Sequence, residues 1–98
     1  MMTREEVTKL VDNTPYARFP TGIKNPLATR GDLHAFVLLD KLMPAKCGDI
    51  ISAAEHDEIF LNIDIDKLLE VLTPELVVEL TNCGVNFDFD NDCLQLFV

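Results

Sequence analysis

Residues 49–63, DIISAAEHDEIFLNI, consist of two apolar runs separated by the polar tetrad Glu55–Glu58. In the second run every other residue is apolar and points the same way, which is the period of a strand that buries one face. The side chains on that face are Ile59, Leu61 and Ile63. The polar tetrad therefore predicts the turn of a β-hairpin.

The first run of this hairpin, Ile50–Ala54, is less regular, but its β-branched isoleucines suit a pleated surface. A two-stranded hairpin is only marginally stable in water. The apolar face of the hairpin therefore requires helices or further strands against it, and the rest of the chain is predicted to supply both.

A second hairpin is predicted at the C-terminal end of the chain. Val85, Phe87 and Phe89 alternate with polar residues, and Asp90–Asp92 has the composition of a turn. The apolar residues that alternate after the turn are Leu94, Leu96 and Val98. The predicted fold class is α+β: two β-hairpins form a four-stranded antiparallel sheet covered by three to four helices, with one apolar face on every strand.

Start and stop signals predict the helices. The predicted segments are 3–11, 30–42, 65–72 and 74–83. Thr3 and Glu6 match a capping box, and Asp64 and Thr73 are typical N-cap residues. Gly84 is placed to end the last helix.

The helix Arg30–Leu42 is predicted to be the central one. Thr29 is its expected N-cap, with Asp32 reaching back to it as in a capping box. Phe36 is expected to anchor this helix in the core, and His34 to lie partly buried at its edge.

The length of 98 residues predicts a single domain. It divides into an N-terminal helix (1–12), a proline-containing loop (13–29) and an α+β core (30–98). The apolar residues of the loop predict that it lies on the core rather than extending into solvent. They are Tyr16, Phe19, Ile23 and Leu27.

Composition predicts a folded cytoplasmic protein, since 48% of the residues are hydrophobic and 26% are charged. No run approaches the ~20 apolar residues of a membrane span, and the first residues do not resemble a signal peptide. Cys47, Cys83 and Cys93 form no CxxC pair, so buried free thiols are expected rather than disulfides or a zinc site.

The net charge of −9 is distributed unevenly along the chain. Residues 1–48 contain seven Lys/Arg and five Asp/Glu, whereas residues 49–98 contain one lysine and twelve acids. Binding of nucleic acid requires clustered Lys/Arg, so direct nucleic-acid binding is not expected. An acidic half favours a basic partner.

Two acidic clusters have residues that could bind a metal ion. Asp88-x-Asp90-x-Asp92 resembles the opening of a calcium loop, but Cys93 replaces the glycine that such a loop needs at its sixth position. A solvated turn is the favoured interpretation.

The tetrad Glu55–Glu58 places His56 among carboxylates and could hold a metal or an acid/base pair. Adjacent residues of a strand point to opposite faces, so a polar turn is favoured here as well. The sequence contains no phosphate loop, serine elbow or HExxH motif, and neither an enzyme nor a cofactor is predicted.

Three segments, GDLHAFVLLDKLMP (31–44), AAEHDEIFLNID (53–64) and CGVNFD (83–88), resemble stretches of short uncharacterised proteins encoded by bacteriophages and related mobile elements. The resemblance covers residues 30–98. It implies a protein that binds a host protein, in some cases by occupying the nucleic-acid-binding surface of a defence or restriction complex. It assigns no functional residue.

The functional prediction is a small acidic protein-binding module, such as a phage-encoded inhibitor, that binds a basic host protein and neither nucleic acid nor membrane. The apolar anchor expected on its binding surface is Phe60. The acids expected around that anchor are Asp57, Glu58, Asp64, Asp66, Asp88, Asp90 and Asp92. The alternatives are a solvated, solubilising face, a metal- or ligand-binding protein using His56, and a phage structural or assembly protein.

Overall fold

The computed structural model describes residues 1–15, 17–45 and 48–97, and the predictions made for Tyr16, Cys47 and Val98 lie outside that part of the chain. The described residues form four helices and four strands. In chain order these are α1 (Arg4–Asn13), α2 (Gly31–Leu42), β1 (Ile51–Glu55), β2 (Glu58–Leu61), α3 (Ile65–Val71), α4 (Pro74–Asn82), β3 (Val85–Asp88) and β4 (Cys93–Phe97).

The strands form one antiparallel sheet in the order β1-β2-β4-β3, which confirms the predicted α+β fold. The two hairpins join through β2 and β4, where Leu61 lies opposite Leu94 and Ile59 opposite Leu96. Opposite residues of an antiparallel pair point to the same face. The two central strands therefore align their apolar side chains in adjacent rows.

The buried side chains of all four helices form one core with that apolar face of the sheet. The fully buried core residues of the helices are Val7 from α1, Ala35 and Leu39 from α2, Ile65, Leu68 and Leu69 from α3, and Val77 and Leu80 from α4. They form one cluster with Leu61, Val85, Leu94 and Leu96 of the sheet. None of the described helices is both long enough and apolar enough to cross a membrane.

Strand β1 corrects the prediction that every strand has a buried face, since all five of its residues are exposed. It lies at the edge of the sheet, Ala53 and Glu55 point away from the helices, and Ala54, opposite Ile59, has only a short side chain on the helical side. Its pairing with β2 shifts register between Ile51 and Ala53, and the Ser52 hydroxyl donates to the carbonyl oxygen of Phe60 at 3.2 Å. Such irregularities twist an edge strand and limit further pairing.

Three of the four predicted helix caps are confirmed. Thr3 Oγ1 accepts from the Glu6 amide at 3.1 Å while the Glu6 carboxylate accepts from the Thr3 amide at 2.9 Å, which completes the capping box. Asp64 and Thr73 accept from backbone amides of α3 and α4. Gly84 adopts φ +97°, as expected for a residue that ends α4.

The predicted cap of α2 is wrong. The helix begins at Gly31, so the N-cap is Arg30 instead of Thr29, and the Arg30 side chain has no oxygen that could accept a helix amide. The Asp32 carboxylate accepts instead from the amide of Leu33 at 2.8 Å.

The side chains that hold α2 in the core also differ from the prediction. Phe36 is only half-buried, whereas Ala35 and Leu39 are fully buried. His34 was expected at the helix edge but is only 1% exposed, because it faces the proline-containing loop and α4. Sequence periodicity alone therefore placed the buried face of α2 incorrectly.

Buried polar side chains hold the proline-containing loop on the domain. The Leu27 amide donates to His34 Nδ1 at 3.0 Å, and His34 Nε2 lies 2.7 Å from Glu79 Oε2. Since Nδ1 accepts, Nε2 carries the proton and donates to the carboxylate. The Ala17 amide donates to the buried Asn82 side chain at 3.3 Å.

Replacement of His34 by alanine should lower the free energy of unfolding by about 3 kcal/mol, because it leaves the Leu27 amide and the Glu79 carboxylate without partners and creates a cavity. Urea denaturation followed by circular dichroism measures this loss. His56→Asn is the matched control, since His56 is exposed and asparagine tolerates its φ of +37°. An equal midpoint for His34→Ala and His56→Asn would contradict this role of His34.

Candidate protein-binding surface

The sheet has a second face, opposite the helices, that we call the outer face. Strand alternation and register assign to it the side chains of Ala53, Glu55, Glu58, Phe60, Asn86, Asp88, Cys93 and Gln95. The core residues of all four helices lie on the other side. Within the described chain, no helix therefore packs on the outer face.

A hydrogen-bonded amide network occupies the centre of the outer face. Asn86 Nδ2 donates to Gln95 Oε1 at 2.9 Å, and Gln95 Nε2 donates to Asp88 Oδ2 at 3.2 Å. Gln95 is only 7% exposed although no described helix covers it. These bonds fix the positions of three polar side chains across β3 and β4.

Phe60 lies beside this network, in register between Ala53 and Gln95. It is half-buried, and its neighbour on β1 is the small Ala53. The predicted placement of Phe60 on the polar side of β2 is confirmed; its role as an anchor stays a prediction.

Hydrogen bonds to the Asp88 side chain stabilise the turn between β3 and β4. Asp88 accepts from the Asn91 amide at 3.2 Å and from Asn91 Nδ2 at 2.8 Å, while Asp90 is exposed and Asp92 adopts φ +53°. The Asp88 carboxylate is thus directed into the turn instead of toward a common cation. Nowhere in the described ranges do three or more His, Cys, Asp or Glu side chains form a group that could hold a metal ion.

Arg4 links this turn to α3 and was not predicted as part of any site. Its guanidinium forms ion pairs with Asp92 and, at 3.0 Å, with Asp66, and it lies 5.5 Å from the centre of the Phe89 ring. The hydrogen bonds that the guanidinium donates to Asp92 and Asp66 raise the pKa of Arg4. No local pattern could reveal these contacts, because Asp66 and Asp92 are 62 and 88 residues away in the sequence.

The predicted acids divide between the two ends of the sheet. Asp64, Asp66 and Asp92 line one cavity together with Arg4. Asp57 is exposed in the β1–β2 turn, and Glu58 follows it at the opposite end of β2. The four residues of β2 separate the two groups by roughly 10 Å at the usual strand rise.

Glu58 lies directly opposite Glu55 in the β1–β2 pair. Like charges at such positions destabilise a sheet. This pair therefore does not stabilise the sheet. The stability of the fold does not explain why two negative charges lie together at this end of the outer face.

The pKa of the Cys93 thiol responds to the negative charges around the outer face. Burial raises its pKa, and the negative charges of Asp88, Asp92 and Glu58 raise it further. Charges from both ends of the sheet therefore act on one position of this face. Cys83, on the helical side, is also a free thiol, and burial together with Glu79 raises its pKa to about 11.

No known protein family, curated protein or solved structure matches this chain. The function must therefore be argued from the surface itself.

Replacing Arg4 by glutamine should loosen the β3–β4 turn, because Asp92 and Asp66 would lose their common cation. Hydrogen exchange followed by mass spectrometry should show faster exchange in peptides covering residues 86–95. Lys9→Gln removes an exposed cation from the same helix and serves as the control. Equal exchange in both variants would show that Arg4 does not hold the turn.

Replacing Glu58 by glutamine should lower the pKa of Cys93, because one of the charges that disfavour the thiolate is removed. Alkylation of Cys93 by iodoacetamide, followed against pH by peptide mass spectrometry, should then reach its half-maximal rate at lower pH. Glu70→Gln on α3 should leave the profile unchanged. If the pH profile of Glu58→Gln coincided with that of the wild type, the charge of Glu58 would have no effect on the pKa of Cys93.

Proposed function

We propose that this chain is a small acidic protein-binding module whose outer face receives a basic surface of a protein partner. The observation that carries the proposal is the half-buried Phe60, held beside a fixed amide network and flanked by carboxylates on a sheet face that no described helix covers.

The aromatic ring and the carboxylates would have different roles in binding. A desolvated aromatic side chain near the centre of an interface contributes most to how long a complex persists. Charges at the rim mainly accelerate association and make it sensitive to salt. Phe60 is therefore the anchor of the proposed interface, and the acids around it attract the partner.

The acids differ in how available they are to a partner. Asp64, Asp66, Asp88 and Asp92 already accept hydrogen bonds or form ion pairs within the chain. Among the acids of the outer face and of its two turns, those that make no side-chain hydrogen bond with another described residue are Glu55, Asp57, Glu58 and Asp90. Neutralising Asp88 or Asp92 would disturb the β3–β4 turn, so a binding test must use the second group.

The partner that fits this surface is a host protein with a basic patch that normally binds nucleic acid. A net charge of −9 on 98 residues provides the negative potential that such a patch attracts. The resemblance of residues 30–98 to phage-encoded proteins is consistent with an inhibitor of a host defence or nucleic-acid-binding protein. Such an inhibitor would exclude nucleic acid from its partner by occupying the same patch.

The first experiment captures proteins from host lysate on the immobilised chain and identifies them by mass spectrometry. Surface plasmon resonance then measures association and dissociation rates of the purified partner at about 50 and 300 mM salt, between which charge-driven contacts weaken strongly. The variant Asp57→Asn/Glu58→Gln/Asp90→Asn should associate several-fold more slowly. Phe60→Ser should mainly accelerate dissociation.

The matched control is Glu5→Gln/Asp12→Asn/Glu70→Gln, which removes the same charge from exposed positions of α1 and α3. It should bind as wild type does, and circular dichroism should show that all variants are folded. The proposal is wrong if a captured partner is indifferent to salt, to the outer-face triple variant and to Phe60→Ser. The loop of residues 16–27 is then the better candidate surface.

A further inference from the structure

Helix α2 has an exposed apolar surface on the helical layer, away from the outer face. Ala35 and Leu39 are fully buried on one side of the helix, yet Leu33 and Val37 on the other side are 47% and 37% exposed. These two side chains are one turn apart and therefore adjacent on the helix surface. The half-buried Phe36 lies next to them, which extends the apolar patch.

The charges that flank this patch are not explained by the stability of α2. Arg30 precedes the first turn and Asp40 lies near the last, where each has the sign that the helix dipole disfavours. Asp32 and Lys41 already provide the favourable charges at the two ends. Neither Arg30 nor Asp40 forms an ion pair with another described residue.

We propose that Arg30, Leu33, Val37 and Asp40, here called the α2 stripe, form the interface of a homodimer. Their spacing is symmetric, since Leu33 follows Arg30 by three residues and Asp40 follows Val37 by three residues. A two-fold axis at the level of Ala35 would place two copies of α2 antiparallel. Arg30 then faces the partner's Asp40, and Leu33 packs against the partner's Val37.

The same stripe on both copies is what a two-fold symmetric interface requires. Charge complementarity indicates that the partner is a second copy of this chain. The stripe reads cation, two apolar residues, anion, so an antiparallel copy places an anion opposite the cation and a cation opposite the anion.

The size of the interface predicts a weak dimer. A helix of 12 residues is about 18 Å long. One pair of such helices buries less than the roughly 1,200 Å² typical of stable complexes. The dimer should therefore form only as concentration rises. It leaves the outer face free, so its existence does not depend on the function proposed above.

Analytical ultracentrifugation of the intact chain between about 10 µM and 1 mM covers the range expected for an interface of this size. The average mass of the wild type should rise with concentration from 11.0 kDa toward twice that value. Arg30→Asp and Asp40→Arg should each weaken association at least tenfold, since both place like charges opposite each other.

Two combinations test the antiparallel register. An equimolar mixture of Arg30→Asp and Asp40→Arg should associate again, as should the double variant, because each restores opposite charges at both ends of the stripe. Failure of both combinations to associate overturns the proposal, and so does a wild type that stays at 11.0 kDa over the whole range.

Leu33→Glu and Val71→Glu form the matched pair for the apolar contact. Val71 is 41% exposed on α3, close to the exposure of Leu33, so both variants should remain folded by circular dichroism. Only Leu33→Glu should abolish association. Loss of association in Val71→Glu together with its persistence in Leu33→Glu overturns the proposed interface.

Discussion

The alignment of β2 with β4 is the constraint on which the rest of this structure depends. Each strand alone has only two inward apolar residues, but their pairing places Leu61 beside Leu94 and Ile59 beside Leu96. The resulting apolar surface must be removed from water, and the buried side chains of four helices form one core with it for that reason. A shift of one residue in this register would turn the same side chains toward solvent.

That register also determines what the opposite face contains. The residues between the apolar ones are Phe60, Gln95, Asn86 and the flanking acids, and they all point away from the helices. The core and the candidate binding surface are thus two consequences of one strand period. A substitution that moved the register would abolish both together.

Features fixed by neighbours in the sequence were predictable, whereas features fixed across the chain were not. Thr3, Asp64 and Thr73 cap helices through residues three positions away, and Gly84 ends a helix through its own backbone. The Arg4 ion pairs, the burial of His34 and the exposure of β1 depend instead on strand order and on how the proline-containing loop is placed. The predicted acids were identified from composition, but their division between the two ends of the sheet required the register of β2.

The buried Gln95 on an otherwise open face has a consequence for any molecule that approaches it. Its amide group has already exchanged water for Asn86 and Asp88, so contact with a partner would not have to strip solvent from those polar atoms again. The three side chains also have little rotational freedom left to lose. The centre of the outer face is therefore preorganised: it is polar in composition, yet its desolvation and ordering costs were met during folding rather than at the moment of contact.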